Sequence, residues 1–246
     1  MDNHTIENKK VAFYTGCFTN YYYPEAGEAT VKILKKNGIE VVVPDQVCCA
    51  LPMIAKGNTK EAYRNIYYNA AILSNLVSRG YAIIATCSSC SLMIKRDYPL
   101  LLESAEAKLV SENLYNTTEY LLLLNERGLL NTEDLYPVRQ SIYYHTPCHL
   151  RAQGMENPTV KLLNLIPGVT INHIGNECCG MGGAYGYEKN NFKLAKEIAG
   201  KLYSNMKDYP ADRAVTDCSG CKLQMEAGSS IDVVHPMILV SESYQL

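Results

Sequence analysis

The ten cysteines of this 246-residue chain form one pattern written twice. Cys17, Cys48, Cys49, Cys87 and Cys90 make the first set; Cys148, Cys178, Cys179, Cys218 and Cys221 make the second. The step from each member to its counterpart is 131, 130, 130, 131 and 131 residues, and no cysteine is left over. Each set reads Cys, a gap, an adjacent Cys-Cys pair, a gap, then Cys-x-x-Cys. Such regularity is the mark of a tandem duplication. It restricts the chain to two copies of one unit, each built around five thiols, with residues 1–130 forming the first domain and 131–246 the second.

Halves of that length can each bury a core. The net charge of −2 offers no electrostatic footprint for nucleic acid. Residues 1–10 are polar and charged, unlike a secretory signal, and the longest apolar runs, such as 121–124, are far shorter than a membrane span. Ten cysteines in that setting point to metal or redox chemistry in a reduced cytoplasm rather than to a disulfide framework.

Strand and helix patterns alternate in the same order in both halves. In the first, residues 11–15 read as a strand running into Cys17, 26–37 as a helix stopped at Gly38, and 39–43 as a strand before Cys48 and Cys49. Asn58 and Glu61 have the spacing of a capping box. The helix they open places Ile66, Ala70, Leu73 and Val77 on one face, and residues 81–85 form a strand before Cys87. In the second half, strands at 142–146, 169–174 and 214–216 lead to Cys148, Cys178 and Cys218, with helices at 159–165 and 191–208. Residues 117–127 read as a leucine-rich helix and 131–140 as a polar connector. This alternation predicts an α/β fold of two pseudo-symmetric domains, each a small parallel sheet with helical crossovers and a metal site at the C-terminal ends of its strands. Leu121–Leu124 and 100–102 read as core or subunit interface, or as a surface for peripheral contact with the cytoplasmic face of a membrane.

Soft thiolates select zinc, Cu(I) or iron–sulfur clusters. Structural zinc takes four ligands in a tetrahedron, usually from two short chelating loops. Each half here has five cysteines, one such loop and an adjacent pair, which reaches two metals of a multinuclear cluster more readily than one small ion. Gly180, Gly182 and Gly183 follow the second pair, where backbone N–H groups are free to approach cluster sulfurs. His145 and His149 flank Cys148, either as partners that orient the ligand loop or as an alternative ligand or proton donor, and Arg151 stands ready to balance cluster charge. His235 reads as a packing or loop residue; His4 and His173 carry no signal.

The repeated pattern resembles the cysteine-rich CCG domain. That domain occurs twice in one subunit of heterodisulfide reductase, in the C-terminal part of one subunit of anaerobic glycerol-3-phosphate dehydrogenase, and in glycolate and lactate oxidation proteins. Cys148-His149-Leu150-Arg151-Ala152-Gln153-Gly154, Cys178-Cys179-Gly180-Met181-Gly182-Gly183 and Val234-His235-Pro236 look most like the dehydrogenase version. The Cys-x₂-Cys-x₂-Cys run of the ferredoxin-like domain that usually precedes them there does not occur. The resemblance implies two noncubane [4Fe-4S] clusters, one per quintet, the second the more secure because the first pair continues Ala50-Leu51-Pro52 instead of with glycine. It also implies an iron–sulfur electron-transfer subunit of a larger oxidoreductase, working between a flavoprotein partner, other iron–sulfur subunits and a quinone or other carrier. Two alternatives stand beside it: a catalytic reductase of the heterodisulfide type that cleaves its substrate between two clusters, and a zinc-stabilised scaffold.

Overall fold

The computed structural model describes residues 7–154 and 157–246; His4 lies outside them. The chain divides into two compact units, Met1–Asn131 and Thr132–Leu246.

In the first unit β1 (Lys10–Tyr14) leads into α1 (Gly16–Tyr21) and α2 (Pro24–Lys36), and β2 (Glu40–Val42) follows. After the Cys48-Cys49 loop come α3 (Leu51–Ala55), α4 (Thr59–Ser78), β3 (Ala82–Ala85) and α5 (Ser88–Leu92). A π-helical turn at Met93–Asp97, α6 (Tyr98–Leu102) and α7 (Ala105–Glu112) lead to β4 (Leu114–Asn116) and α8 (Thr117–Glu126). The second unit runs β5 (Gln140–His145), α9 (Cys148–Arg151), α10 (Pro158–Leu163), β6 (Val169–Gly175), α11 (Phe192–Ile198), α12 (Gly200–Asp208), β7 (Arg213–Val215), α13 (Ser219–Gly228), β8 (Asp232–Val234) and α14 (Pro236–Ser243).

Both sheets are parallel and share one topology, β2-β1-β3-β4 and β6-β5-β7-β8. The middle strands of the first sheet run apolar and buried over Val11–Tyr14 and Ala82–Ala85, as parallel strands covered on both faces must. The chain winds outward in opposite directions from β1 and β3, and from β5 and β7. The gap between those strands is the switch point where open α/β sheets leave a crevice for ligands. Cys17 and Cys87 follow β1 and β3, and Cys148 and Cys218 follow β5 and β7, so the duplicated fold aims its thiols at that crevice.

The α/β architecture is as the sequence predicts, with three differences. Each sheet has a fourth strand, β4 or β8, only three residues long and too short to print a period-2 pattern. The predicted helix at 191–208 is two helices: Ala199 has ψ −6°, off the helical value, where the helix-weakening Gly200 follows. The Asn58–Glu61 capping box does not form, since Asn58 makes no side-chain cap; instead the Glu119 carboxylate accepts from the Asn116 N–H at 3.1 Å to start α8. Leu121 and Leu124 on α8 are fully buried, which makes them core and not a membrane-facing surface. Among the described residues no helix is long and apolar enough to cross a membrane.

Candidate metal centre

The first quintet forms a line of neighbouring sulfurs. Cys17 is hydrogen-bonded to Cys48, Cys48 to Cys49, Cys49 to Cys90 and Cys90 to Cys87, and Cys17 lies within electrostatic reach of Cys87. Cys17 is exposed, Cys48 half-buried, and Cys49, Cys87 and Cys90 are buried. In the second quintet Cys221 Sγ stands 3.2 Å from Cys179 Sγ and is hydrogen-bonded to Cys218, while Cys148 feels both Cys178 and Cys179. Here Cys148 and Cys178 are exposed and the other three are buried. Each set thus gathers two sulfurs from the turns that follow the central strands, two from the adjacent pair and one from the helix that the Cys-x-x-Cys loop opens.

Crowding sets the protonation. The hydrogen bond to Cys48 together with burial pushes the Cys17 thiol well up, and the bonds from Cys49 and Cys87 together with burial do the same to Cys90. Cys49, accepting from Cys48 and Cys90, falls to about 5. In the second site the hydrogen bond from Cys221 lowers Cys179 to about 7, Cys221 rises, and burial raises Cys148. Cys90 and Cys221 thus hold their protons against Cys49 and Cys179, which ionise more readily. Ionising the rest needs positive charge placed among them, which a metal core brings. Among the described residues no three His, Cys, Asp or Glu side chains close around a single metal-ion position.

The adjacent pairs turn on the same backbone. Ala50 and Gly180 both lie in the left-handed region, at φ +75° and +79°. The Ala50 methyl is accommodated and fully buried. At Gly180 a Cβ would stand 2.0 Å from the Ala195 carbonyl oxygen, so only glycine fits. The Gly180 N–H donates to Cys178 Sγ at 3.3 Å, and Gly182 and Gly183 continue with positive φ.

Polar side chains that carry no spacing signal brace the loops. From α4, the Asn69 amide accepts from the Val47 N–H at 3.0 Å and donates to the Val47 carbonyl at 3.1 Å and to the Tyr98 hydroxyl at 3.0 Å; Asn65 donates to the Cys48 carbonyl at 3.2 Å. The Tyr14 hydroxyl donates to the Val47 carbonyl at 2.6 Å. In the second unit Tyr144 and Thr159 donate to the two oxygens of buried Asp217 at 2.7 and 2.8 Å, tying β5 and α10 to the residue before Cys218. Asn69 was detectable in principle, since it breaks the apolar face of Ile66, Ala70 and Leu73; Asp217 was detectable only by adjacency to Cys218. Among the histidines, His149 is half-buried on α9 and His235 caps α14, its Nδ1 accepting from the Met237 N–H at 3.2 Å. His173 stacks between Tyr143 and Tyr209.

A family model described as a cysteine-rich domain, CCG, matches residues 11–95 and again 142–226. An anaerobic glycerol-3-phosphate dehydrogenase subunit from Escherichia coli (strain K12) is 33% identical over 236 residues, 95% of this chain and 59% of that one. A fumarate reductase (CoM/CoB) subunit from Methanothermobacter marburgensis is 31% identical over 222 residues, 88% of this chain and 42% of that one. The chain thus spans about half the length of these two relatives. Lactate utilization protein A of a Geobacillus species (strain WCH70) is 25% identical over 92% of this chain and 96% of its own. A crystal structure of a hypothetical protein from Helicobacter pylori superposes with a TM-score of 0.60 at 11% identity, covering 97% of this chain and 49% of that one, which is a likeness of fold alone. With two matched copies and two converging quintets, the chain belongs to the cysteine-rich CCG domain family.

Proposed function

We propose that this chain is an iron–sulfur electron-transfer subunit of a multi-subunit oxidoreductase, each quintet holding one [4Fe-4S] cluster of the noncubane kind. Cys17, Cys48, Cys49, Cys87 and Cys90 are the ligands of the first, and Cys148, Cys178, Cys179, Cys218 and Cys221 those of the second. The observation that carries the reading is the convergence of five mutually interacting sulfurs at the switch point of each duplicated sheet. The donor set fits the group: the sulfurs are too many for a closed zinc tetrahedron, two of them are adjacent, and in the first site all five are linked edge to edge. When bound, such a core supplies one-electron chemistry. The chain's own part is to hold the sulfurs, exclude water from the three buried ones of each set, and direct the Gly180 N–H at Cys178. Its partners are a flavoprotein dehydrogenase or reductase subunit and other iron–sulfur subunits, with a quinone or another carrier as acceptor. The relationship to a fumarate reductase (CoM/CoB) component favours a second reading, in which a disulfide or thiol pair reacts at the clusters.

Anaerobic reconstitution tests the proposal. The protein is expected to turn brown and hold iron with acid-labile sulfide, and Cys179→Ser to lose the second centre and about half the iron, as removal of one of two cluster sites demands. A colourless protein with two zinc ions, or iron unchanged in the variant, overturns it. Viologen-dependent reduction of disulfides separates the second reading from the first.

A further inference from the structure

His145 occupies the position in β5 that Tyr14 occupies in β1, 131 residues earlier. The two residues are buried alike, at 1% and 0% exposure, but bonded differently. The Tyr14 ring lies among the first site's sulfurs: its edge and Cys90 Sγ stand 3.6 and 3.1 Å from where a Gly16 Cβ would be, and its hydroxyl is committed to the Val47 carbonyl. At His145 the Nδ1 atom is buried without a hydrogen-bond partner. Its direction follows from the strand. Tyr143 packs in one cluster with Cys179, Cys218 and Cys221. His145 is two residues further along, hence on the same face, at the strand end that delivers Cys148. A buried polar nitrogen with no partner costs free energy unless a partner arrives, and the strand carries this one on the sheet face, and to the strand end, from which the second quintet is built.

We propose that His145 is a positioning residue for the second site: its imidazole N–H donates a hydrogen bond to a sulfur of the core or its ligands there, raises that centre's reduction potential, and thereby makes the two centres unequal. The inference rests on the proposed cluster binding and adds to it a division of labour. Hydrogen bonds to cluster sulfurs raise the potential by offsetting negative charge on the reduced form. The first site has no counterpart, because the Tyr14 hydroxyl points its proton at a backbone carbonyl.

The test is a redox titration of the reconstituted full chain, each centre followed by its own paramagnetic signal and assigned by the signal that Cys179→Ser removes. His145→Phe, which has no N–H, is expected to lower the potential of the second centre and leave the first unmoved; His145→Gln, which keeps a donor, is expected to hold it near the wild-type value. If phenylalanine is not accommodated, His145→Met removes the donor in a more flexible shape. A second potential unchanged without the donor, or a shift of both centres together, overturns the inference while leaving the cluster proposal standing. A wild-type protein that holds no iron and sulfide overturns both.

Discussion

The residue after each Cys-Cys pair shows how one backbone turn is met by two side chains. Ala50 and Gly180 share the left-handed conformation, which costs an L-residue roughly 1–2 kcal/mol. Ala50→Gly relieves that strain, but it forfeits a buried methyl worth about 0.8 kcal/mol and loosens the unfolded chain by about 0.4–1 kcal/mol. The terms nearly cancel, so thermal unfolding of Ala50→Gly is expected to match the wild type to within about 1 kcal/mol. Gly180→Ala is expected to destabilise by roughly 3 kcal/mol, because its methyl meets the Ala195 carbonyl and α11 must move. Equal effects of the two changes would contradict this account. Both residues after the pairs thus have positive φ, and what differs is the helix packed against Gly180.

At the scale of elements, α4 holds the Cys48-Cys49 loop as well as covering the sheet. Its buried amide at Asn69 binds both backbone groups of Val47 and the Tyr98 hydroxyl. Asn69→Ala strips the Val47 N–H and the buried Tyr98 hydroxyl of this partner, while the Val47 carbonyl keeps the Tyr14 hydroxyl, and each orphan costs on the order of 1 kcal/mol or more. The variant is expected to lose about 2–3 kcal/mol in denaturant unfolding, and after reconstitution to lose iron from the first centre while keeping the second. Equal loss from both centres would mean that the amide acts on overall folding and not on this loop. The strands preceding each cysteine were legible because apolar runs bounded by turn residues mark buried parallel strands. β4 and β8 were not, because three residues carry no periodicity and their pairing is decided by β3 and β7 alongside them. The break at Ala199 was marked only by Gly200, which a long amphipathic pattern outweighed.

For the whole molecule, ten thiols gathered into two small volumes couple stability to pH with opposite signs in the iron-free and loaded states. In the iron-free fold Cys17, Cys48, Cys90, Cys148 and Cys221 have raised pKa values, as do the buried Tyr14, Tyr98 and Tyr144. A raised group contributes stability that is full below its unfolded value and is lost as pH climbs towards its folded one. Unfolded cysteines titrate near 9, so the melting temperature of the iron-free protein is expected to fall from about pH 9 to about 10.5. Cys49 and Cys179, lowered to about 5 and 7, act oppositely and add stability as pH rises towards 9. A melting temperature still rising above about pH 9 would refute the assignment. Loading runs the other way from the raised thiols: ligands must shed protons to bind metal, so iron retained after reconstitution should rise between about pH 6.5 and about 8.5. The sequence by itself determined the duplication, the two quintets, the parallel α/β class and the strand before each ligand, because these are matters of spacing and short-range apolar pattern. Only the tertiary structure decided which polar side chains brace the ligand loops, that an alanine can stand where its twin must be glycine, and that the imidazole of His145 is buried with an unpaired nitrogen. Each of these depends on atoms brought together from positions far apart in the chain, and local pattern holds no record of them.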